Sequence, residues 1–164
     1  MKVAIIGIGL IGGSLALALK THKVASVVVG IDSNPDHCRQ ALRLGLVDEI
    51  MDVNDALDVA DLVIISTPVS VSSVILSEIL CKVKHQVIID VGSTKNMIAT
   101  HAGLSVNRGR FVATHPMWGT EFSGPEAAVV GAFTGKAVVI AIRINRTLTH
   151  CCWSKTCTAS WACI

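Results

Sequence analysis

The chain has 164 residues, the size of one ordinary α/β domain and too short for two large ones. Hydrophobic residues make up 51% and charged residues 16%, the reverse of what a disordered chain needs. Fourteen Lys and Arg against twelve Asp and Glu leave a formal charge of +2, which argues against a nucleic-acid partner.

Strand and helix signals alternate along the chain. Lys2–Ile6 is a short apolar run before glycines, and Leu10–Leu19, rich in Leu and Ala, reads as a helix. Ser26–Ile31 is a second strand, and Asp32, Ser33, Asn34 and Pro35 form a polar turn that starts a helix. Residues 36–44 have apolar spacing near a helical period, with Gly45 as the stop. A short strand near Glu49–Met51 and a helical turn over Asp55–Ala60 lead to the β-branched run Leu62–Ser66. Then come a helix over Val71–Leu80, a strand over Gln86–Val91 and a helix over Lys95–Ala102. Strands at Arg110–Thr114 and Lys136–Ile142 complete the set, with Pro125–Val130 helical between them. This alternation predicts right-handed crossovers and an α/β fold with a doubly wound, mainly parallel sheet.

Lys2 followed by apolar Val3–Leu19 has the outline of a secretory leader, but Gly7, Gly9, Gly12 and Gly13 weaken a helical core there. No other segment approaches the ~18 apolar residues that span a bilayer. A cytoplasmic protein with no membrane partner is expected, with Cys38 and Cys81 as reduced thiols.

Gly7-Ile8-Gly9-Leu10-Ile11-Gly12 is a G-x-G-x-x-G loop directly after a strand and opening a helix. Gly7 permits the tight turn, Gly9 lets the backbone approach a pyrophosphate, and Gly12 lets the helix pack closely on the strand. The unpaired N–H groups of the helix start then face the anion. Asp32 ends the second strand, where a carboxylate accepts both ribose hydroxyls of an adenosine and repels a 2′-phosphate. No Arg follows it, so NAD is expected rather than NADP. The competing description is a Gly-rich turn in a nucleotide-free protein, with Asp32 as a helix cap. Thr67 and Pro68 follow a strand at the carboxyl edge of the sheet, where ligands bind in open α/β folds, although ordinary turns also end strands this way.

Two more loops should open on that edge, Asp90–Lys95 and the segment from His115 onward. A neutral His115 held on a loop lip can take a hydroxyl proton while hydride leaves the same carbon. Ser93 could orient His115 or donate to the oxidised oxygen. Alternatively, His115 bonds backbone and Ser93 caps the helix near Lys95.

His115-Pro116-Met117-Trp118-Gly119-Thr120-Glu121-Phe122-Ser123-Gly124-Pro125-Glu126-Ala127-Ala128 resembles the signature of the prephenate and arogenate dehydrogenases. The Gly7–Ser14 loop, Thr67-Pro68-Val69 and Asp90–Lys95 match that family in order and spacing, so the resemblance covers residues 1 to about 142. It implies a Rossmann-type NAD-binding domain over 1–142 and oxidative decarboxylation of prephenate to 4-hydroxyphenylpyruvate, in tyrosine biosynthesis. Arogenate is the alternative substrate, and a catalytically inactive NAD-binding fragment the alternative role. The resemblance makes His115 the base on the ring hydroxyl, supported by Ser93, with Thr120 and Glu121 near the substrate and Ile8, Leu10 and Ile11 on the cofactor. Trp118 stands where the family commonly has a small residue.

Beyond residue 142 the resemblance stops. The family continues into a helical domain that forms a homodimer and supplies an arginine for the substrate, and that domain is expected to be missing. Residues 143–164 carry Arg143, Arg146 and Lys155 with no acid, and four of the six Cys. Back-translated from Ala141 and shifted by one base, this stretch allows codons for an acidic link and an amphipathic helix, so a frameshift is the expectation. A metal site from His150, Cys151, Cys152, Cys157 and Cys163 is the rival, but those spacings fit no C-x₂₋₄-C pattern and no metal is expected.

Overall fold

A computed structural model describes residues 1–141, and the expectations for 142–164 (the end of the last predicted strand, the frameshifted tail and its rival metal site) lie outside the described residues. Strands β1 (Lys2–Ile6), β2 (Val27–Ile31), β3 (Glu49–Ile50), β4 (Leu62–Ile65), β5 (Val87–Asp90), β6 (Phe111–Pro116) and β7 (Val138–Ala141) form one sheet. Helices α1 (Leu10–Thr21), α2 (Pro35–Arg43), α3 (Val53–Val59), α4 (Val69–Lys82) and α5 (Asn96–Gly103) connect the first six strands.

The strand order is β3-β2-β1-β4-β5-β6-β7, with β1 to β6 parallel. Parallel strands are buried on both faces, which explains runs such as Leu62–Ile65 with no polar alternation. Successive side chains still point to opposite faces. Ala4, Ile6, Val63 and Ile65 pack with Leu76, Ile79 and Leu80 of α4 and Ile98 of α5, whereas Val3, Ile5 and Ile64 pack with Leu15 and Leu19 of α1 and Ala41 of α2. The chain passes to β2 on one side of β1 and to β4 on the other. The crevice at the carboxyl ends of β1 and β4 is therefore the switch point where such sheets take ligands.

Three expectations are corrected beyond β5. The Pro125–Val130 segment is not a helix but a single 3-10 turn, Pro125–Ala127. Gly124 and Gly131 flank it in left-handed backbone (φ +83° and +72°), and the Val129 N–H donates to Ser14 Oγ of α1 (2.9 Å) rather than to a helical carbonyl. With no helical crossover there, the chain returns antiparallel, and β7 runs against β6. Strand β6 also does not stop at Thr114. Its pairing with β5 ends at Ala113, but β7 carries it on to Pro116, so His115 sits on a strand opposite Val139 rather than on a loop.

Candidate functional site

The glycine loop joins β1 to α1 at the switch point. Gly7 has φ +92°, and a Cβ there would stand 2.6 Å from the Ser66 carbonyl oxygen and 3.1 Å from Thr67 Cγ2. The turn is thus pressed against the end of β4, which brings Thr67 and Pro68 beside the loop. At Gly12 a Cβ would fall 2.0 Å from the Gly7 carbonyl oxygen, so α1 starts directly on the turn. At Gly9, the N-cap of α1, a Cβ would meet nothing within 4 Å. Open space therefore lies over the first N–H groups of α1, those of Leu10, Ile11 and Gly12, which helix geometry leaves without an intrahelical partner. The first turn of α1 contains no acid, and its positive end faces that space. An open, donor-lined cradle fits a dinucleotide pyrophosphate.

Asp32 closes the cradle on the β2 side. Its Oδ2 accepts from the Ile8 N–H (2.9 Å) and its Oδ1 from the Asn34 N–H (2.9 Å). The Ile8 N–H is therefore committed to Asp32 and not to an incoming phosphate. Asp32 does not cap α2; Asn34 does, accepting from the Asp36 N–H (2.9 Å) ahead of Pro35 at the first helical position. On the β4 side, Ser72 Oγ of α4 lies 2.9 Å from Thr67 Oγ1 and donates to the Thr67 or Pro68 carbonyl, fixing the turn.

His115 sits two strands farther along the same carboxyl edge, half-buried. Its Nδ1 lies 3.3 Å from the Val91 carbonyl oxygen. A carbonyl only accepts, so Nδ1 carries a hydrogen, and in the neutral ring Nε2 then holds the lone pair that a base requires. Ser93 is exposed, and among the described residues no hydrogen bond joins it to His115; nor does it cap α5, whose N-cap is Lys95. Thr120 and Glu121 are exposed on the loop after β6, where Thr120 Oγ1 accepts from the Phe122 N–H (3.2 Å). Trp118 packs edge-on against Phe133 (5.4 Å, 70°) and anchors that loop to the α1 side of the sheet.

The sequence reading did not single out an ion pair beneath the Ser93 loop. Asp90, 1% exposed, ends β5, and the Lys95 ammonium folds back onto its Oδ2, which also accepts from the Gly92 N–H (3.1 Å). Burial pushes the Asp90 carboxyl up from its ordinary range and pulls the Lys95 ammonium down, against the attraction between them. Asp90 Oδ1 and, at the end of neighbouring β4, Ser66 Oγ are buried without a partner among the described residues. An Asp closing an apolar strand, five residues before a Lys at a helix start, was the available signal.

A raised carboxyl pKa means that Asp90 favours the fold when protonated and loses that contribution as pH rises through its raised value. Lys95→Met should therefore lower stability by about 2–3 kcal/mol near neutral pH, below the ~3–5 kcal/mol of a fully buried pair because the Lys95 side chain keeps 18% of its exposure. The deficit should shrink toward about pH 4, where a protonated Asp90 needs no cation. Denaturant melts of both proteins at the two pH values check this, and a pH-independent deficit would contradict it.

Among the described residues no group of His, Cys, Asp and Glu could hold a metal ion, and no helix is long and apolar enough to cross a membrane. Cys38 and Cys81 are free thiols.

A family model for the prephenate dehydrogenase nucleotide-binding domain matches residues 15–143. It starts just past the glycine cradle, so the cradle stands on its own geometry. Prephenate dehydrogenase of Bacillus subtilis is 38% identical over 130 residues, covering 77% of this chain and 35% of that protein. The chain spans between 35 and 48% of the length of the curated relatives it matches. Among solved structures, A. aeolicus prephenate dehydrogenase in complex with hydroxyphenyl propionate and NAD+ superposes with a TM-score of 0.86 at 28% identity, covering 98% of this chain and 56% of that one. Synechocystis arogenate dehydrogenase gives 0.80 at 25% identity, covering 98% and 55%. The open cradle at the switch point and the family match across most of the chain agree, and the chain belongs to the prephenate dehydrogenase family, of which it carries the nucleotide-binding domain.

Proposed function

We propose that residues 1–142 form the NAD-binding domain of an enzyme that oxidatively decarboxylates prephenate to 4-hydroxyphenylpyruvate in tyrosine biosynthesis. The observation that carries the proposal is the placement of His115, its Nε2 lone pair free, on the carboxyl edge that also bears the open glycine cradle. Bound NAD supplies the hydride acceptor. Gly7, Gly9 and Gly12 give the pyrophosphate its approach, the Leu10, Ile11 and Gly12 N–H groups meet its charge, and Thr67 and Pro68 wall the turn. The Asp32 carboxylate receives the adenosine ribose. His115 takes the proton of the ring hydroxyl as hydride leaves the carbon that bears it, and loss of carbon dioxide then makes the ring aromatic. Ser93 supports the same oxygen, and Thr120 and Glu121 border the substrate. Turnover of prephenate compared with arogenate, monitored through NADH, tests the activity and separates the two substrates. The proposal places the protein in the cytoplasm, where thiols such as Cys38 and Cys81 stay reduced.

NAD should bind more tightly than NADP by upwards of ~10-fold at neutral pH, because a 2′-phosphate meets the Asp32 carboxylate and juxtaposed like charges are costly. Titration with the two dinucleotides measures the ratio, and equal affinities would remove Asp32 from the ribose.

A further inference from the structure

We propose that His37 determines cofactor specificity: its imidazole, seated on Asp32, makes rejection of a ribose 2′-phosphate strict when neutral and loose when protonated. The proposal rests on the assignment of Asp32 to the ribose and extends it to a residue outside the glycine loop.

His37 Nδ1 lies 3.4 Å from Asp32 Oδ2. A carboxylate only accepts, so His37 donates. The local chain dictates this contact. Asn34 caps α2, Pro35 starts it, and side chains of a first helical turn lean back toward its N-terminus, which carries position 37 over Asp32.

The Asp32 side chain is 11% exposed and already has three donors, the Ile8 and Asn34 N–H groups at 2.9 Å and His37. Its two oxygens offer about four lone-pair sites in all. A ribose diol needs two of them, so one donor must yield. Two of the three are backbone groups fixed by the loop and the cap. The third has the longest bond and belongs to a side chain 34% exposed. His37 is the movable member, and a phosphate on the 2′-oxygen would meet it together with Asp32.

The surrounding charges leave this role to His37. On α2, Arg39 and Asp36 pair with each other at the surface. Of the elements packed against α2, β2 has no titratable side chain, β3 brings the exposed Glu49, and the 3-10 turn brings Glu126, held by Arg43 at 3.1 Å. Of these side-chain types, histidine is the one that exchanges a proton between about pH 5 and 8. A neutral His37 leaves the Asp32 charge to oppose a phosphate. An imidazolium offsets that charge and adds a charge-assisted donor.

A phosphate monoester itself takes up a proton near about pH 6, which relaxes rejection without any help from the protein, so variants must carry the test. The 164-residue chain, His37→Gln and His37→Lys are each titrated calorimetrically with NAD and with NADP near about pH 5.5 and about pH 8. Thermal melts verify folding, and His37→Asn replaces the Gln variant should that fail to fold. From high to low pH, the ratio of Kd for NADP to Kd for NAD should fall about 5- to 10-fold more in the unaltered chain than in His37→Gln. His37→Lys, cationic at both pH values, should show a low ratio at both. Parallel pH profiles for the unaltered chain and His37→Gln, or a Lys variant that rejects NADP at the higher pH as strictly as the unaltered chain, would overturn the proposal. The ribose assignment would survive either result if NAD still binds and Asp32→Ser narrows the ratio. Failure of the unaltered chain to bind NAD would overturn both.

Discussion

Gly9→Val is expected to lower NAD affinity by ~10²–10⁴-fold, the loss of two hydrogen bonds to a charged group at about 1.5–3 kcal/mol each. A side chain at position 9 meets no protein atom within 4 Å and occupies the space through which a pyrophosphate would approach α1. The backbone at Gly9 (φ −84°, ψ −157°) is extended rather than left-handed, but Gly9 is the N-cap of α1, where valine is disfavoured, so the melting temperature should fall by a few °C, for a cost of about 1 kcal/mol. Gly12→Ala supplies the contrast. Its Cβ would overlap the Gly7 carbonyl oxygen at 2.0 Å, and because that oxygen is backbone and a Cβ has no rotamer to escape into, the turn itself must shift. That variant should lose binding and stability together. Paired calorimetric titrations and thermal melts distinguish the two patterns. Wild-type affinity in Gly9→Val would mean that the pyrophosphate does not use this cradle.

His115→Asn, in a protein that carries this domain and turns over prephenate, should lower kcat by ~10²–10⁴, the range for general acid–base catalysis. Asparagine can keep a donor toward the Val91 carbonyl, so the strand and its pairing with β7 should hold. It lacks a basic nitrogen where Nε2 stood. NAD affinity should change little, because the cradle lies at β1 and β4 while His115 lies on β6. The pH–rate profile is the sharper readout, since its acidic limb should vanish with the imidazole. Survival of that limb at near-normal turnover would show that another group is the base.

What the sequence determined by itself is what depends on a few neighbouring residues. Runs such as Leu62–Ile65, short, β-branched and bounded by turns, favour a buried strand over a helix, and a G-x-G-x-x-G loop between a strand and a helix has few other uses. From these the strands β1 to β6, their parallel direction, the glycine turn between β1 and α1 and the place of Asp32 at the end of β2 are legible. Helix starts depend on contacts that lie farther along the chain. Helix α4 begins at Val69 rather than Val71 because Pro68 serves as its N-cap, with Ser72 bonded back to the turn.

Tertiary structure alone decided what hangs on pairing across distance. With a strand expected to end at Thr114 and Pro116 preventing a helix from following, His115 reads as a loop residue, yet β7 returns antiparallel and pairs Pro116 with Val138. At the outer part of the sheet the missing proline N–H costs no interior ladder bond. The stretch after Gly124 looked helical by composition, but the Ser14 hydroxyl, 115 positions earlier, takes the Val129 N–H and lays the segment over α1. Asp90 meets Lys95, and Asp32 meets His37, because a helix turn folds back over the strand end that precedes it. Spacing along the chain allows such contacts, but burial and the competition for each donor decide which of them form.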